Sequence, residues 1–249
     1  MRPSTYLTKS LIANKHKILM LSVLLGVCTS AQAQICDGRF FHNGGVIEIG
    51  SSGMLNVSAK LTFSQVKKTS GTTCQAQVKG FANYALVSFL SGSSDIDHVL
   101  NVSGNQTSVT NARPGKSAGA ATFDVQLLGL FGFGAPIRAA GQKFPAQSYS
   151  LAVGDPKRGA TTPVGIRMGE KTVGAQQSIQ TAIGKLQCWP VRYARSTDAT
   201  TAQVQGMVLP IPSIQSQVTD WFCPTTNLVM KQEIEHSGQK SVIEVKVLR

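Results

Sequence analysis

The 249-residue sequence lacks the residue patterns that most catalytic and metal-binding sites require. No two of its five cysteines stand at C-x-x-C spacing and its four histidines are scattered, which argues against a zinc site. It contains neither a G-x-S-x-G nucleophile elbow nor a recognisable phosphate-binding loop. We therefore expect a protein that is not an enzyme and that holds no cofactor and no metal ion.

One segment, Asp95-Ile96-Asp97-His98, places acids and a histidine beside two serines. A Ser-His-Asp group needs a histidine that is held by an acid and faces a nucleophile. The sequence favours a solvated turn here, with an aspartate that caps a strand end. A calcium loop would need further oxygen ligands and a glycine, which the spacing of Asp95, Asp97 and Asn101 lacks.

The chain is also poor in aromatic residues, at 6%, although it is strongly basic, with a formal net charge of +12. Nucleic-acid binding needs basic runs interleaved with stacking aromatics on one face. Here Lys67-Lys68 and Lys157-Arg158 are the only adjacent basic pairs, and both lie beside turn-like residues. We expect no nucleic-acid partner, and interpret the charge as favouring solubility and retention near an anionic envelope.

The N-terminal residues 1–33 have the pattern of a cleaved signal peptide. Four basic residues precede a mostly apolar segment, residues 18–27, and the small-residue motif Ala31-Gln32-Ala33 follows it. Ten apolar residues fall short of the roughly 20 that span a bilayer, so we expect no transmembrane anchor. Cys28 raises a lipoprotein alternative, but the bulky Val27 before it disfavours lipidation. The sequence predicts export to the periplasm or beyond.

Cleavage leaves four cysteines, Cys36, Cys74, Cys188 and Cys223. An even number of cysteines in an exported chain indicates disulfides. Of the three possible pairings we favour Cys36 with Cys74 and Cys188 with Cys223, because sequence neighbours then fall within separate halves of the chain. Each bridge would stabilise the fold by about 3 to 4 kcal/mol.

Short strands with turn signals between them dominate the mature chain, and no helix is convincing. We expect a mainly β, antiparallel fold, either a strongly curved sheet or half-barrel or a sandwich. An Asn43-Gly44 turn predicts a hairpin between residues 39–42 and 45–49. Residues 55–66 alternate as a half-buried strand, and residues 171–183 are interpreted as one long polar strand.

A two-residue turn at Ser237-Gly238 sets the register of a C-terminal hairpin. It predicts the pairs His236–Gln239, Glu235–Lys240, Lys231–Glu244, Met230–Val245 and Leu228–Val247. One face then collects apolar residues, namely Leu228, Met230, Ile234, Ile243, Val245 and Val247. The other face collects the charge pairs Lys231–Glu244 and Glu235–Lys240, as one-sided burial requires.

A region rich in Gly, Ser and Asn, residues 103–119, is interpreted as a linker or long loop. It predicts an N-terminal β half, residues 34–112, and a C-terminal β half, residues 113–249, with one continuous β domain as the alternative. The glycine-interrupted run at residues 127–136 is either a buried loop or a mobile apolar lip that touches a lipid, a partner or a membrane.

Three segments of the C-terminal half, "LQCWPVRY", "DWFCPTTNLVMKQE" and "GQKSVIEVKVL", together resemble a family of periplasmic bacterial proteins filed as a domain of unknown function. The family shares the pattern W-Y-x-P-x-x-G-L-V, which corresponds here to residues 221–229, with Phe222 at the Tyr position and Asn227 at the Gly position. The resemblance covers residues 140–249. It implies an open, strongly curved antiparallel sheet akin to the half-barrels of lipoprotein carriers, and no established activity.

Aromatic residues flank the second pair of cysteines, and they either fill core volume or line a concave ligand site. The candidate binding residues are Trp189, Tyr193, Trp221 and Phe222, with Phe131 and Phe133 as a lip. We expect a non-enzymatic envelope protein whose curved sheet binds a lipid or other apolar ligand, or an envelope protein. The alternatives are a periplasmic inhibitor or immunity protein and an unrecognised hydrolase.

Overall fold

The computed structural model describes residues 35–87, 90–104, 106–112, 130–131, 136–155, 160–204 and 207–249. The predicted signal peptide, Cys28 and Phe133 lie outside these residues, as do residues 105 and 113–119 of the predicted linker.

The described chain is mainly β, as the sequence predicts. Its elements are the 3-10 helix η1 (Ile35–Asp37) and the strands β1 (Val46–Ser52), β2 (Asn56–Ser70), β3 (Thr73–Val87), β4 (Leu90–Ser103), β5 (Gln106–Asn111), β6 (Lys143–Phe144), β7 (Gln147–Asp155), β8 (Ala160–Met168), β9 (Lys171–Val173), β10 (Gln177–Thr181), β11 (Gly184–Thr197), β12 (Thr200–Val204), β13 (Met207–Ile211), β14 (Gln215–Cys223), β15 (Leu228–His236) and β16 (Gln239–Leu248).

Fourteen of these strands form one sheet whose main path runs β5-β4-β3-β2-β1-β16-β15-β14-β11-β8-β7. Beside this path, β9 and β10 pair with β11, β6 pairs with β9, and β12 and β13 form a separate hairpin. Pairing of β1 with β16 joins the first strand to the last, so both predicted halves contribute to the same sheet. The sheet curls, because β7 at one end has Cα atoms within 8 Å of β4 near the other end.

Strand alternation gives the sheet an apolar inner face and a polar outer face. On β2 the inner face carries Val57, Ala59, Leu61 and Phe63, all buried, as the alternation predicts. Their inner neighbours on β3 and β4 include Val78, Ala82, Ile96 and Leu100, also buried. The main core therefore lies on the inner face of the curl.

The C-terminal hairpin has the predicted register. His236 faces Gln239, Glu235 faces Lys240 and Lys231 faces Glu244. Ser237 and Gly238 both have positive φ, 49° and 76°, which is the geometry of a type I′ turn. The ion pairs differ from those predicted, because Glu233 binds both Lys231 and Lys240, and Lys246 binds Glu244.

The structure contains two disulfides, Cys36–Cys74 and Cys188–Cys223, the pairing favoured by the sequence. The first ties η1 to β3 and the second ties β11 to β14. Three of the four cysteines are fully buried and Cys74 is 4% exposed, so both bridges belong to the core.

Several local predictions are wrong. Residues 39–42 form no strand before the Asn43-Gly44 turn. Phe40 and Phe41 instead lie in an irregular segment and are fully buried in the core. The predicted strand at residues 171–183 is divided into β9 and β10, and β5 occupies part of the predicted linker. In each case tertiary packing overrides the local pattern.

Proline cannot donate to a strand ladder and is usually found at an edge or a bulge. Pro190 nevertheless lies in β11, which pairs along one side with β14. On its other side β11 pairs with β10 up to Cys188 and with β9 from Val191. Pro190 therefore occupies the gap between those two partners, where no ladder donor is needed. Its carbonyl still accepts a hydrogen bond from the Gly174 amide at 2.7 Å.

Candidate functional site

Of the six aromatic residues proposed as a binding site, Phe131, Tyr193 and Phe222 are buried, with exposed fractions of 7%, 3% and 6%. Phe131 packs edge-on against Phe63, with ring centroids 6.5 Å apart. Phe131 is thus a core residue and not part of an exposed lip. Trp189 and Trp221 are half-buried, and Phe133 lies outside the described residues.

The structure divides these aromatics between two apolar clusters. Trp189 and Phe222 are directly paired across β11 and β14 and belong to a small cluster. That cluster is completed by Ile137, Phe144, Val173, Val191 and Val229. Tyr193 belongs to the main core, and Trp221 packs against it. The predicted single concave aromatic site is not formed by the described residues.

What the structure does bring together on the inner face is a group of buried polar side chains. Asp220 on β14 is 1% exposed, Gln232 on β15 is 2% exposed, Tyr193 on β11 is 3% exposed and Lys171 on β9 is 6% exposed. We call these four residues the polar cluster. Burying polar and charged groups is costly, so such a cluster is a natural candidate for a functional site.

Hydrogen bonds and ring contacts link the polar cluster to itself and to β7. Gln232 Nε2 donates to Asp220 Oδ1 over 2.7 Å, between directly paired positions of β15 and β14. Lys171 Nζ donates to Gln147 Oε1 over 2.9 Å and lies 5.3 Å from the centroid of the Tyr193 ring. The cluster and its partner Gln147 therefore involve five strands of the main sheet, β7, β9, β11, β14 and β15.

Burial dominates the electrostatics of the polar cluster. It raises the pKa of Asp220 from 3.8 to about 6. Hydrogen bonds from Gln232 and Tyr193 and the positive charges of Lys171 and Arg195 oppose this shift. Burial also lowers the pKa of Lys171, while attraction to Asp220 opposes that shift. Asp220 is thus a carboxyl group whose protonation changes near neutral pH.

A small cavity of about 10 Å³ adjoins the polar cluster. Its lining is apolar except for Gln232 and Glu244, and includes Ile49, Leu130 and Val229. Gln232 Oε1 has no hydrogen-bond partner among the described residues. The cavity is large enough for about one water molecule, which this oxygen could bind.

Sequence reasoning missed three members of the polar cluster, although two carry a detectable signal. Gln232 lies between Met230 and Ile234 on the apolar face of β15, and Asp220 lies between two buried residues of β14. A polar residue at an apolar position of an alternating strand indicates a buried polar group. Lys171 begins a strand and carries no comparable signal.

The Asp95–His98 segment lies within β4 and is not a turn. Because successive side chains of a strand point to opposite faces, His98 is 5% exposed on the inner face while Asp95 is exposed on the outer face. Asp97 accepts a hydrogen bond from Gln77 Nε2 at 2.7 Å on the outer face. The strand thus separates the histidine from both acids.

Within the described ranges, no three His, Cys, Asp or Glu side chains are grouped so that they could hold a metal ion. No helix among those residues is long and apolar enough to cross a membrane.

No protein-family model matches this chain, and no curated protein matches it. Among solved structures, the chain is similar to a protein from Bacteroides fragilis described as exported and as having a YmcC-like fold, with 13% identity and a TM-score of 0.52. That match covers 85% of this chain and 99% of the other. It shows a shared fold, the open antiparallel sheet that the resemblance implied.

Two further structures match with lower TM-scores. A protein from Parabacteroides distasonis described as a lipoprotein has 13% identity and a TM-score of 0.46, with 85% of this chain and 98% of the other covered. The hypothetical lipoprotein YmcC from Escherichia coli has 8% identity and a TM-score of 0.35, with 80% and 85% covered.

Proposed function

We propose that this chain is an exported envelope protein that acts without catalysis, by binding a protein partner on the outer face of its sheet. The observation that carries the proposal is that the described side chains of the inner face are buried against one another. An apolar ligand would have to displace them, whereas the outer face is exposed to a partner.

Aromatic side chains occupy the inner face beside β2. Phe40, Phe41 and Phe63 are all fully buried, and their ring centroids lie 5.1 to 6.3 Å apart. Ligand sites for small apolar molecules usually have volumes of about 300 Å³ or more. The cavity of about 10 Å³ beside Leu130 is far smaller.

The described side chains on the outer face of β2, β3 and β4 are mostly polar. Gln75 donates to Asn101 over 2.7 Å, and Lys60 pairs with Glu48 over 3.2 Å. Phe81 interrupts this surface, and its side chain is 45% exposed. It faces Lys60 on β2 and Asp95 on β4. An exposed aromatic ring framed by polar and charged groups is typical of the anchor of a protein–protein interface.

Site-specific photo-crosslinking tests the surface. A photoreactive phenylalanine analogue replaces Phe81 in the full-length protein, which is expressed in bacterial cells. Irradiation should yield a discrete adduct with one protein. The matched control is the same analogue at Gln75, which lies on the same strand and the same face, about 20 Å away at 3.3 Å per residue. Equal labelling at both positions, or none at Phe81, would contradict the proposal.

Titration with a fluorescent fatty acid tests the competing ligand function. We expect no saturable binding to the folded protein, because the described side chains of the inner face pack against one another. Saturable binding with one site per chain would instead establish an apolar-ligand carrier.

Export is tested separately by sequencing the N-terminus of the protein recovered from an envelope fraction. We expect the mature chain to begin near Gln34, after cleavage at Ala33. Recovery of a chain that retains Met1 from the cytoplasm would contradict export.

A further inference from the structure

The outer face around Phe81 carries opposite charges on its two sides. Phe81 on β3 faces Lys60 on β2 and Asp95 on β4, and all three side chains are exposed. Directly opposed residues of neighbouring strands share a face, so these side chains form a row across the strands with a spacing of about 4.8 Å. We call Lys60, Phe81 and Asp95 the charged row.

We propose that the partner of this surface is a second copy of the same chain, bound about a two-fold axis that passes through Phe81 parallel to β3. The inference rests on the function proposed above and specifies its partner. In this dimer Phe81 packs against the same ring of the second copy, and Lys60 of each chain pairs with Asp95 of the other.

The order of the charges makes the charged row complementary to itself. A two-fold axis along β3 exchanges the two sides of the row, so Lys60 of each chain lies opposite Asp95 of the other. An axis along the row would instead place Lys60 opposite Lys60 and Asp95 opposite Asp95. Like charges that face each other across an interface destabilise it. The charges therefore favour the first orientation, in which the two β3 strands run parallel.

Phe81 supplies the apolar contact at the centre of the row. Its ring is 45% exposed, and packing of two such rings would remove apolar surface of both from water. Lys60 is also paired with Glu48 over 3.2 Å, which holds its ammonium group on the outer face. The next row of the same face, Ser58, Asn83 and Ser93, is polar and exposed. An aromatic centre with a polar rim is typical of a small interface.

Two features limit the affinity of this dimer. Lys79 lies two residues before Phe81 on the same face of β3, so its two copies approach each other beside the axis. Its cross-strand neighbour Asp97 offsets part of that repulsion. The outer face is also the convex side of the curl, so it curves away from the second copy on both sides of β3. We therefore expect a weak dimer, with a Kd on the order of micromolar.

Sedimentation equilibrium of the mature protein measures the dimer. Phe81→Ser should raise the dimer Kd at least about tenfold, because it removes the central contact. The matched control is Met54→Ser, which removes an exposed apolar side chain between β1 and β2 and should leave the Kd unchanged. Circular dichroism checks that both variants are folded. A wild-type chain that remains monomeric up to about 1 mM would overturn the proposal, as would an unchanged Kd in Phe81→Ser.

Charge reversal tests the orientation of the two copies. Lys60→Glu places acids opposite each other and Asp95→Lys places lysines opposite each other, so each variant alone should dimerise at least about tenfold more weakly than the wild type. An equimolar mixture of the two variants restores both pairs of opposite charge in a mixed dimer, which should form with nearly the wild-type Kd. A mixture that dimerises no better than either variant alone would refute the pairing of Lys60 with Asp95.

The crosslinking experiment at Phe81 separates this inference from the proposed function. An adduct with twice the mass of the mature chain supports the second copy as the partner. An adduct with a different protein would support the proposed function and would overturn the second copy as the partner. The absence of any adduct would contradict both.

Discussion

Gln232 on β15 donates a hydrogen bond of 2.7 Å to Asp220 on β14, and both side chains are almost completely buried in the middle of the sheet. Burial raises the pKa of the Asp220 carboxyl group, and the charge of Lys171 opposes that shift. Its titration should therefore be visible in the stability of the whole protein.

We expect the free energy of unfolding to respond to Asp220 over the pH range from about 4 to 6. The folded pKa is raised to about 6 from 3.8, so the folded state binds the proton more tightly. The contribution of Asp220 to stability is then fully present below this window and is lost as pH rises through it. A shift of this size corresponds to roughly 3 kcal/mol.

Urea unfolding of the wild type and of Asp220→Asn at several pH values checks this expectation. The stability of the wild type relative to the variant should fall between about pH 4 and pH 6 and then level off. A difference that stays constant with pH would mean that Asp220 has an ordinary pKa.

Replacement of Phe131 by Ser should destabilise the protein, because the ring is buried and packs against Phe63. Truncation of a buried phenylalanine typically costs about 3 to 5 kcal/mol. Met54→Ser is the matched control, since Met54 is 49% exposed and its loss should change stability by less than about 0.5 kcal/mol. Equal melting temperatures for the two variants would contradict the buried position of Phe131.

Removal of the Cys188–Cys223 bridge by the double substitution Cys188→Ala and Cys223→Ala should cost about 3 to 4 kcal/mol, since the bridge closes a loop with a sequence separation of 35. Guanidinium unfolding of the variant and of the oxidised wild type measures this difference. Peptide mapping without reductant should first recover the two cysteines in one linked pair. A linked Cys74–Cys188 pair would contradict the observed connectivity.

Glu233→Gln should have a small, pH-dependent effect. Burial alone would raise the pKa of Glu233, but hydrogen bonds and charges from Lys231 and Lys240 lower it below 4.5. The stability that Glu233 contributes is then present above pH 4.5 and is lost as pH falls below it. Because the group is partly exposed, we expect a loss below about 1 kcal/mol at neutral pH.

Salt checks the same ion pairs by another route. The stability difference between Glu233→Gln and the wild type should shrink at 1 M salt, where the screening length is only about 3 Å. A difference that is independent of salt would assign the effect of Glu233 to packing.

The C-terminal hairpin could be predicted because its determinants are local. The Ser237-Gly238 turn fixes which residues face each other, and alternation assigns the faces. Its ion pairs could not be predicted, because Glu233 takes both lysines that were expected to pair with Glu244 and Glu235. Long side chains within the hairpin can choose between partners that differ by less than about 1 kcal/mol, and the turn and the alternation do not encode that choice.

The arrangement of the aromatic residues, in contrast, could not be predicted from the sequence. Their position beside Cys188 and Cys223 is readable in the sequence, but the face to which each ring points depends on the register of β11 with β14 and on what covers it. Ile137, Phe144 and Val173 cover Phe222, and these residues come from segments distant in sequence. Whether these aromatic residues share one face therefore depends on tertiary packing, which the sequence does not show.

By itself, the sequence determined the mainly antiparallel β fold, the favoured cysteine pairing and the hairpin register, because alternation, turns and cysteine spacing act over short stretches of chain. Only the tertiary structure decided that β1 pairs with β16, that Phe40 and Phe41 are buried in the core, and that Lys171 lies over the ring of Tyr193. These contacts join residues far apart in the chain. Their free energy comes from burial and from charges in a low-dielectric interior, which no local pattern encodes.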